Sequence, residues 1–148
     1  YLYKDKRKDM SVYGETISFR TKGFSDVHDI THEVKDIVVR SKIKNGIVSI
    51  SVIGSTASVS TIEYEPALVA DIQDELEKWI PHTLHTRHSQ TWGDDNGFSH
   101  IRATLMGPGI SLPIVESSIL TGTWQQIITI DHDNRPRTRQ VRVQIVGE

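Results

Sequence analysis

The sequence predicts a single α+β domain, and three observations predict it. Several short runs alternate apolar with polar residues and stop at glycine, the pattern of strands with one buried face. Two longer runs repeat apolar residues every three or four positions, the pattern of helices with one apolar side. Both helical runs fall in the first half of the chain, and the total is roughly seven strands and two helices. A sheet is expected to receive the apolar sides.

Length and composition narrow the class. With 148 residues, 36% hydrophobic and 24% charged, the chain suits one domain with a real core. A net charge of −2 gives no electrostatic reason to expect nucleic acid as a partner. The sequence has no cysteine, which excludes disulfides, thiolate metal sites and a cysteine nucleophile. No apolar run approaches the ~18 residues of a membrane span, and no export signal opens the chain. No membrane partner is therefore expected, and the cytoplasm is the default compartment.

Residues 1–10 are dense in mixed charge and read as an extension ahead of Met10 or a cloning remnant, leaving 11–148 as the domain. Residues 12–21 carry Val12, Ile17 and Phe19 among polar neighbours and predict a strand that turns at Lys22-Gly23. Ser25 or Asp26 can cap a helix with Val27, Ile30, Val34, Ile37 and Val38 on one side, stopping at Asn45-Gly46. Residues 47–53 alternate as a strand, and 57–64 predict another. Pro66 suits the first turn of a second helix whose stripe of Leu68, Val69, Ile72, Leu76, Trp79 and Ile80 runs to Pro81.

Residues 82–99 are polar, with three histidines and Gly93-Asp94-Asp95-Asn96-Gly97, and predict a long loop. Strand character resumes at 101–106, breaks at Gly107-Pro108-Gly109 and returns at 112–115. Residues 124–130 and 140–146 are the clearest strand pair, joined through Asp131-His132-Asp133-Asn134-Arg135-Pro136, a turn by composition. If 124–130 is a strand, Trp124 and Gln125 point to opposite faces and suit a site wall, or else Trp124 simply packs in the core.

His88 and His100 are the foremost chemical candidates, flanking Asp94, Asp95 and Asn96 in a polar stretch. Imidazoles and carboxylates there suit a divalent metal or a phosphate, or else a solvated loop. Glu63, at a strand end, suits a ligand, a general base or a bond to the start of the following helix. Arg135, Arg137 and Arg139 alternate, so an extended backbone sends them to one side, as a phosphate fork or a solvated strand edge. His28 and His32 are four apart on the first predicted helix, facing solvent. His82 and His85 read as surface residues.

The combination of Thr121-Gly122-Thr123-Trp124-Gln125, Asn96-Gly97-Phe98-Ser99-His100 and His88 resembles the YjbQ family, also called UPF0047, over residues 14–148. The resemblance implies a two-sheet β-sandwich with the two helices packed on it, and a homotrimer whose sites lie near subunit boundaries. It implies a minor thiamine-phosphate synthase activity, joining a pyrimidine diphosphate to a thiazole phosphate. On that reading His88, His100 and Glu63 are catalytic, and Asn96, Trp124, Gln125 and Arg139 bind a small phosphorylated substrate. His88, His100 and Asp131 would hold a divalent metal, zinc or magnesium. The chain departs from the family pattern at Gly54, where a histidine is expected, at Asp131, one methylene shorter than glutamate, and at Ser117, where glycine is expected. The loss at Gly54 implies weakened metal affinity or lost activity, and with it the alternative of a noncatalytic oligomeric binding or scaffold protein with a degenerate pocket.

Overall fold

The computed structural model describes residues 9–148, so the reading of residues 1–10 as an extension lies, except for Asp9 and Met10, outside the described residues. The described chain is α+β, with eight strands in two antiparallel sheets and four helices. A five-stranded sheet has the order β1 (Ser11–Thr21), β8 (Arg137–Gly147), β3 (Gly46–Val52), β5 (Gly109–Val115), β6 (Ser118–Ile119), and a three-stranded sheet the order β2 (Asp26–Asp29), β7 (Gln126–Asp131), β4 (Ala57–Ile62). No described helix is long and apolar enough to cross a membrane.

Strand β8 (Arg137–Gly147) is the spine of the larger sheet, pairing along its length with β1 (Ser11–Thr21) and with β3 (Gly46–Val52). Its alternation decides its faces: Arg139, Val141, Val143 and Ile145 are buried, while Thr138, Gln140 and Arg142 are exposed. The core lies between this sheet, helix α1 (Thr31–Ser41) and the inner face of the smaller sheet, with Val34, Ile37, Val48, Ile50, Val59, Ile127 and Val143 in contact. Strand β7 (Gln126–Asp131) is buried on both faces, because Ile128 and Ile130 pack outward with Val27 against Val69 and Met106. That double burial explains its unbroken apolar run.

Two helices follow the sequence closely. α1 ends at Ser41, with Lys42 in the left-handed conformation at φ 59° rather than at Asn45-Gly46, which opens β3. α2 (Pro66–Trp79) is capped by Glu65, whose carboxylate accepts from the backbone N–H of Ala67 at 2.9 Å and Leu68 at 2.8 Å. Trp79, predicted on the apolar stripe, is exposed.

Other expectations need correction. Residues 26–29 form strand β2 (Asp26–Asp29) on β7, so the first helix begins only at Thr31 and His28 is not on it. The cause is a sharp reversal: Gly23, Phe24 and Ser25 all have positive φ, and Phe24 N–H donates to Asp133 C=O at 2.7 Å. Residues 82–106 are neither one long loop nor a strand. They hold α3 (Arg87–Trp92), capped by Thr86 and ended by left-handed Gly93, and α4 (Gly97–Met106). α4 buries Phe98, Ser99, Arg102 and Ala103 while exposing Ile101 and Leu105, which inverts the usual apolar pattern. β7 and β8 do not pair with each other; they lie in different sheets, and the connector predicted as a turn buries Asp131, His132 and Asp133.

Partners satisfy that buried polarity. Arg102, 1% exposed, donates to the Ile80 carbonyl through Nε (2.9 Å) and Nη2 (2.7 Å), to Ser25 Oγ through Nη1 (3.0 Å), and pairs with Glu77 at 2.9 Å. Ser25 Oγ, accepting from Arg102, is also hydrogen-bonded to His132 Nδ1 at 2.8 Å. Ser58 Oγ is bonded to His132 Nε2 at 3.1 Å, so both ring nitrogens have a hydroxyl partner.

Burial, and then the nearby Arg102 charge, pull His132 from 6.5 down to about 4. The unfolded chain binds this proton first, so stability falls as pH drops from about 6.5 toward 4 and is fully retained above that range. His100, also held below its usual value, adds in the same direction. Unfolding free energies from denaturant titrations between pH 7.5 and 4 are expected to drop at up to roughly 1.4 kcal/mol per pH unit for the His132 proton. His132→Asn is expected to flatten that slope, and an equally steep slope in the variant would assign it elsewhere.

Candidate functional site

One cleft collects most of the candidate residues. After β3 the chain crosses between the sheets through Gly54, Ser55 and Thr56 before β4 (Ala57–Ile62) begins opposite Asp131. The start of β8 brings Arg137 and Arg139 beside this crossing, and α3 and α4 supply His88 and His100. The resulting cleft, about 370 Å³, is also lined by Trp92, Asp94 and Asn96.

The histidines face one another, with ring centroids 4.5 Å apart. Asn96, buried at the start of α4, holds His88: turned so that its nitrogen faces Asp94, its amide donates to the carboxylate at 3.0 and 3.2 Å and to His88 Nε2 at 3.1 Å. Asp94 itself lies 3.8 Å from His88 Nε2. His100 makes no hydrogen bond among the described residues. Burial and then the neighbouring His88 hold its pKa below the usual imidazole value, so it is neutral at pH 7 with a lone pair available.

Across the cleft, two arginines are fixed by two aspartates. Arg139 Nε donates to Asp131 Oδ2 at 2.7 Å and its Nη2 to Asp131 Oδ1 at 2.8 Å and Thr56 Oγ1 at 2.5 Å. Thr21 Oγ1 donates to the same Asp131 carboxylate at 2.5 Å, and Thr56 Oγ1 donates to Asp133 at 3.0 Å. Arg137 holds Asp133 by a single oxygen: its Nε donates to Oδ2 at 2.9 Å and its Nη2 lies 2.8 Å from the same atom as an ion pair. Burial alone would raise both aspartate pKa values. For Asp131 the bonds from Arg139 and Thr21 outweigh it, and for Asp133 those from the Asn134 N–H, Thr56 and Arg137 do, so both stay ionised below the usual carboxylate range.

His88, His100, Asn96 and Arg139 thus come together, whereas Asp131 stands behind Arg139 and does not line the cleft. Two imidazoles remain on the cleft side, and among the described residues no group of three or more His, Asp or Glu side chains is placed to hold a metal ion. With both buried aspartates committed to arginines, the residues present do not fit a metal held by the protein alone.

Glu63, Trp124 and Gln125 lie elsewhere. β4 runs about 17 Å from Ala57 to Ile62, and Glu63 follows its far end. There it borders a second hollow with Asp29, Tyr64, Glu65 and Trp124. Trp124 sits in a turn before β7, 69% exposed, so it is neither core nor a strand residue opposed to Gln125. Gln125 closes that turn, accepting from Gly122 N–H at 3.0 Å and donating to Thr61 Oγ1 at 3.1 Å. The helix-capping bond considered for Glu63 belongs to Glu65, two residues on.

Sequence reasoning passed over Arg137, whose signal was present: it alternates with Arg139, and only Arg135 of the three falls outside the strand. Trp92 gave no signal, because its place in the cleft depends on a helix the polar composition concealed. His82 pairs with Glu77 at 2.5 Å, and His28 with Asp26 at 2.8 Å, both away from the cleft.

Residues 15–148 match the family described as UPF0047 protein YjbQ-like. A UPF0047 protein of Methanothermobacter thermautotrophicus is 34% identical over 139 residues, covering 94% of this chain and 95% of its own. The UPF0047 protein YjbQ of Salmonella typhimurium is 27% identical, with 90% and 95% covered. Among solved structures, a YbjQ-like protein of unknown function from Sulfolobus solfataricus P2 superposes with a TM-score of 0.90 at 34% identity, over 95% of this chain and all of the other. A YjbQ/UPF0047 protein from Clostridium acetobutylicum gives 0.81 at 30% identity, over 88% and 98%. Matched over most of its length in sequence and in fold, the chain belongs to the UPF0047 (YjbQ-like) family.

Proposed function

We propose that this protein binds a small phosphorylated molecule in the cleft, between the His88–His100 pair and the Arg137–Arg139 pair. The observation that carries the reading is the convergence, at the start of β8 and the facing helices α3 and α4, of fixed guanidinium groups and a neutral imidazole without a hydrogen-bond partner among the described residues. Arginine held in a rigid fork suits phosphate oxygens. A neutral imidazole facing it suits proton transfer.

Thiamine-phosphate synthesis is the catalytic form of this proposal. The thiazole phosphate nitrogen forms a bond to the methylene carbon of the pyrimidine diphosphate while the carbon–oxygen bond to pyrophosphate breaks. Charge grows on the departing pyrophosphate, where directed N–H donors stabilise it. Arg137 and Arg139 take that role, His100 manages protons, and Asn96 orients His88. The protein works, on this reading, as a cytoplasmic homotrimer, and Glu63, Trp124 and Gln125 join the site only where a neighbouring subunit brings its far end to the cleft. The second reading, a noncatalytic binding protein, is favoured by Gly54, which leaves the cleft with two imidazoles and no metal shell.

Incubation of purified protein with both phosphorylated precursors is expected to yield thiamine phosphate, and His100→Ala to lower the rate at least ~100-fold with the fold retained. Absence of product from wild type, with either precursor still binding, would leave the binding protein as the function. After chelation and reloading with zinc, elemental analysis is expected to find substoichiometric metal, equal in wild type, His88→Ala and His100→Ala. One zinc per chain, lost in both variants, would reverse that expectation.

A further inference from the structure

We infer that the outward Nη1 of Arg139, laid against Gly54, is the principal grip on a tetrahedral oxyanion, and that position 54 must be glycine for this grip to exist. The inference rests on the cleft being an anion site and adds the atom, the geometry and the class of anion.

Arg139 is 7% exposed, so nearly all of its guanidinium is withdrawn from bulk water. Its five N–H bonds divide cleanly. Nε–H and the two N–H of Nη2 go to Asp131 Oδ2, Asp131 Oδ1 and Thr56 Oγ1. The two N–H of Nη1 have no hydrogen-bond partner among the described residues, and the residue lines the cleft. A cationic donor held so rigidly from behind, on a guanidinium otherwise withdrawn from water, is poised for an acceptor in front.

Gly54 makes that pose attainable. A Cβ built on it would meet Arg139 Nη1 at 2.8 Å, inside any ordinary contact distance, and its φ of +152° is one that side-chain-bearing residues rarely adopt. The guanidinium occupies the volume that a side chain at 54 would need. Arg137 supplies a second, more exposed edge: its Nε donates to Asp133 Oδ2, its Nη2 pairs with the same oxygen, and its Nη1 has no partner among the described residues. The two residues alternate on one strand, about 7 Å apart, and Ser55 lines the same cleft.

This arrangement favours a tetrahedral oxyanion over a carboxylate. Two Nη1 groups reaching from separate positions match oxygens that project in different directions, whereas a planar carboxylate offers both oxygens along one edge. Asp131 and Asp133 neutralise the two arginines, so recognition rests on aimed N–H groups more than on net positive charge.

Inorganic phosphate is the probe. Titrated into the wild-type protein, it is expected to saturate one site by calorimetry, to be displaced by sulfate and not by acetate, and to shift the Arg139 guanidinium resonances in ¹⁵N NMR, assigned by through-bond correlation. Gly54→Ala is expected to weaken phosphate at least tenfold with its circular dichroism unchanged, and Arg137→Gln to weaken it severalfold. Wild type that binds no phosphate removes the anion site altogether, and this inference with it. Phosphate binding that leaves Arg139 unmoved, or a folded Gly54→Ala that binds within twofold of wild type, overturns the grip while the anion site stands. Displacement by acetate as effective as by sulfate overturns the preference for a tetrahedral anion. If Gly54→Ala does not fold, the wild-type resonances decide.

Discussion

The buried pair of Asp131 and Arg139 is the constraint around which the two sheets are joined. The chain leaves the smaller sheet at Asp131 and enters the larger at Arg137, and this crossing takes Asp131, His132 and Asp133 into the interior. A charge withdrawn from water is costly unless it is paired and its remaining lone pairs are filled. Asp131 has Arg139, Thr21 and the Asp133 N–H; Asp133 has Thr56, Arg137 and the Asn134 N–H. Those partners come from β1, β8 and the crossing before β4, so one polar knot ties the edges of both sheets together. Thr129 Oγ1 is the lone buried side-chain oxygen or nitrogen without a partner among the described residues, which shows how completely the rest is satisfied.

The same knot is half of the cleft. Each arginine is held from behind by an aspartate and lines the cleft, so the groups that stabilise the fold also form its wall. Such dual use fixes the donors before any ligand arrives, and pre-organised donors lose little to reorganisation. It also fills the acceptor positions of Asp131, two with Arg139 and one each with Thr21 and the Asp133 N–H.

Legibility in the sequence followed the physics of each segment. Strands β1, β3 and β8 and helices α1 and α2 show regular alternation or a regular stripe, because one side faces a core and the other water. β2 was absorbed into a helix because Val27 and Ile30 happen to fall at helical spacing with Val34, while the reversal through Phe24 and Ser25 is enforced by a distant backbone carbonyl at Asp133. α4 was hidden because its buried face includes Arg102 and Ser99, which are affordable inside only with the partners that tertiary structure provides. His88, His100, Asn96 and Arg139 were visible as residue types in a suggestive pattern. Trp124 was not, as its solvent exposure depends on β7 starting two residues later.

The walls of the cleft differ in how they are held. Arg137 and Arg139 grow from a central strand knotted into the core, whereas α3, which carries His88 and Trp92, buries no side chain and leans on α4 where Thr86 meets Gly97. Replacing residues on α3 therefore disturbs little of the packing, while replacing the arginines or their aspartates disturbs both sheets. Across descendants of this chain, the arginine wall is bound to drift slowly, and the α3 wall is free to be rewritten without reinventing the fold.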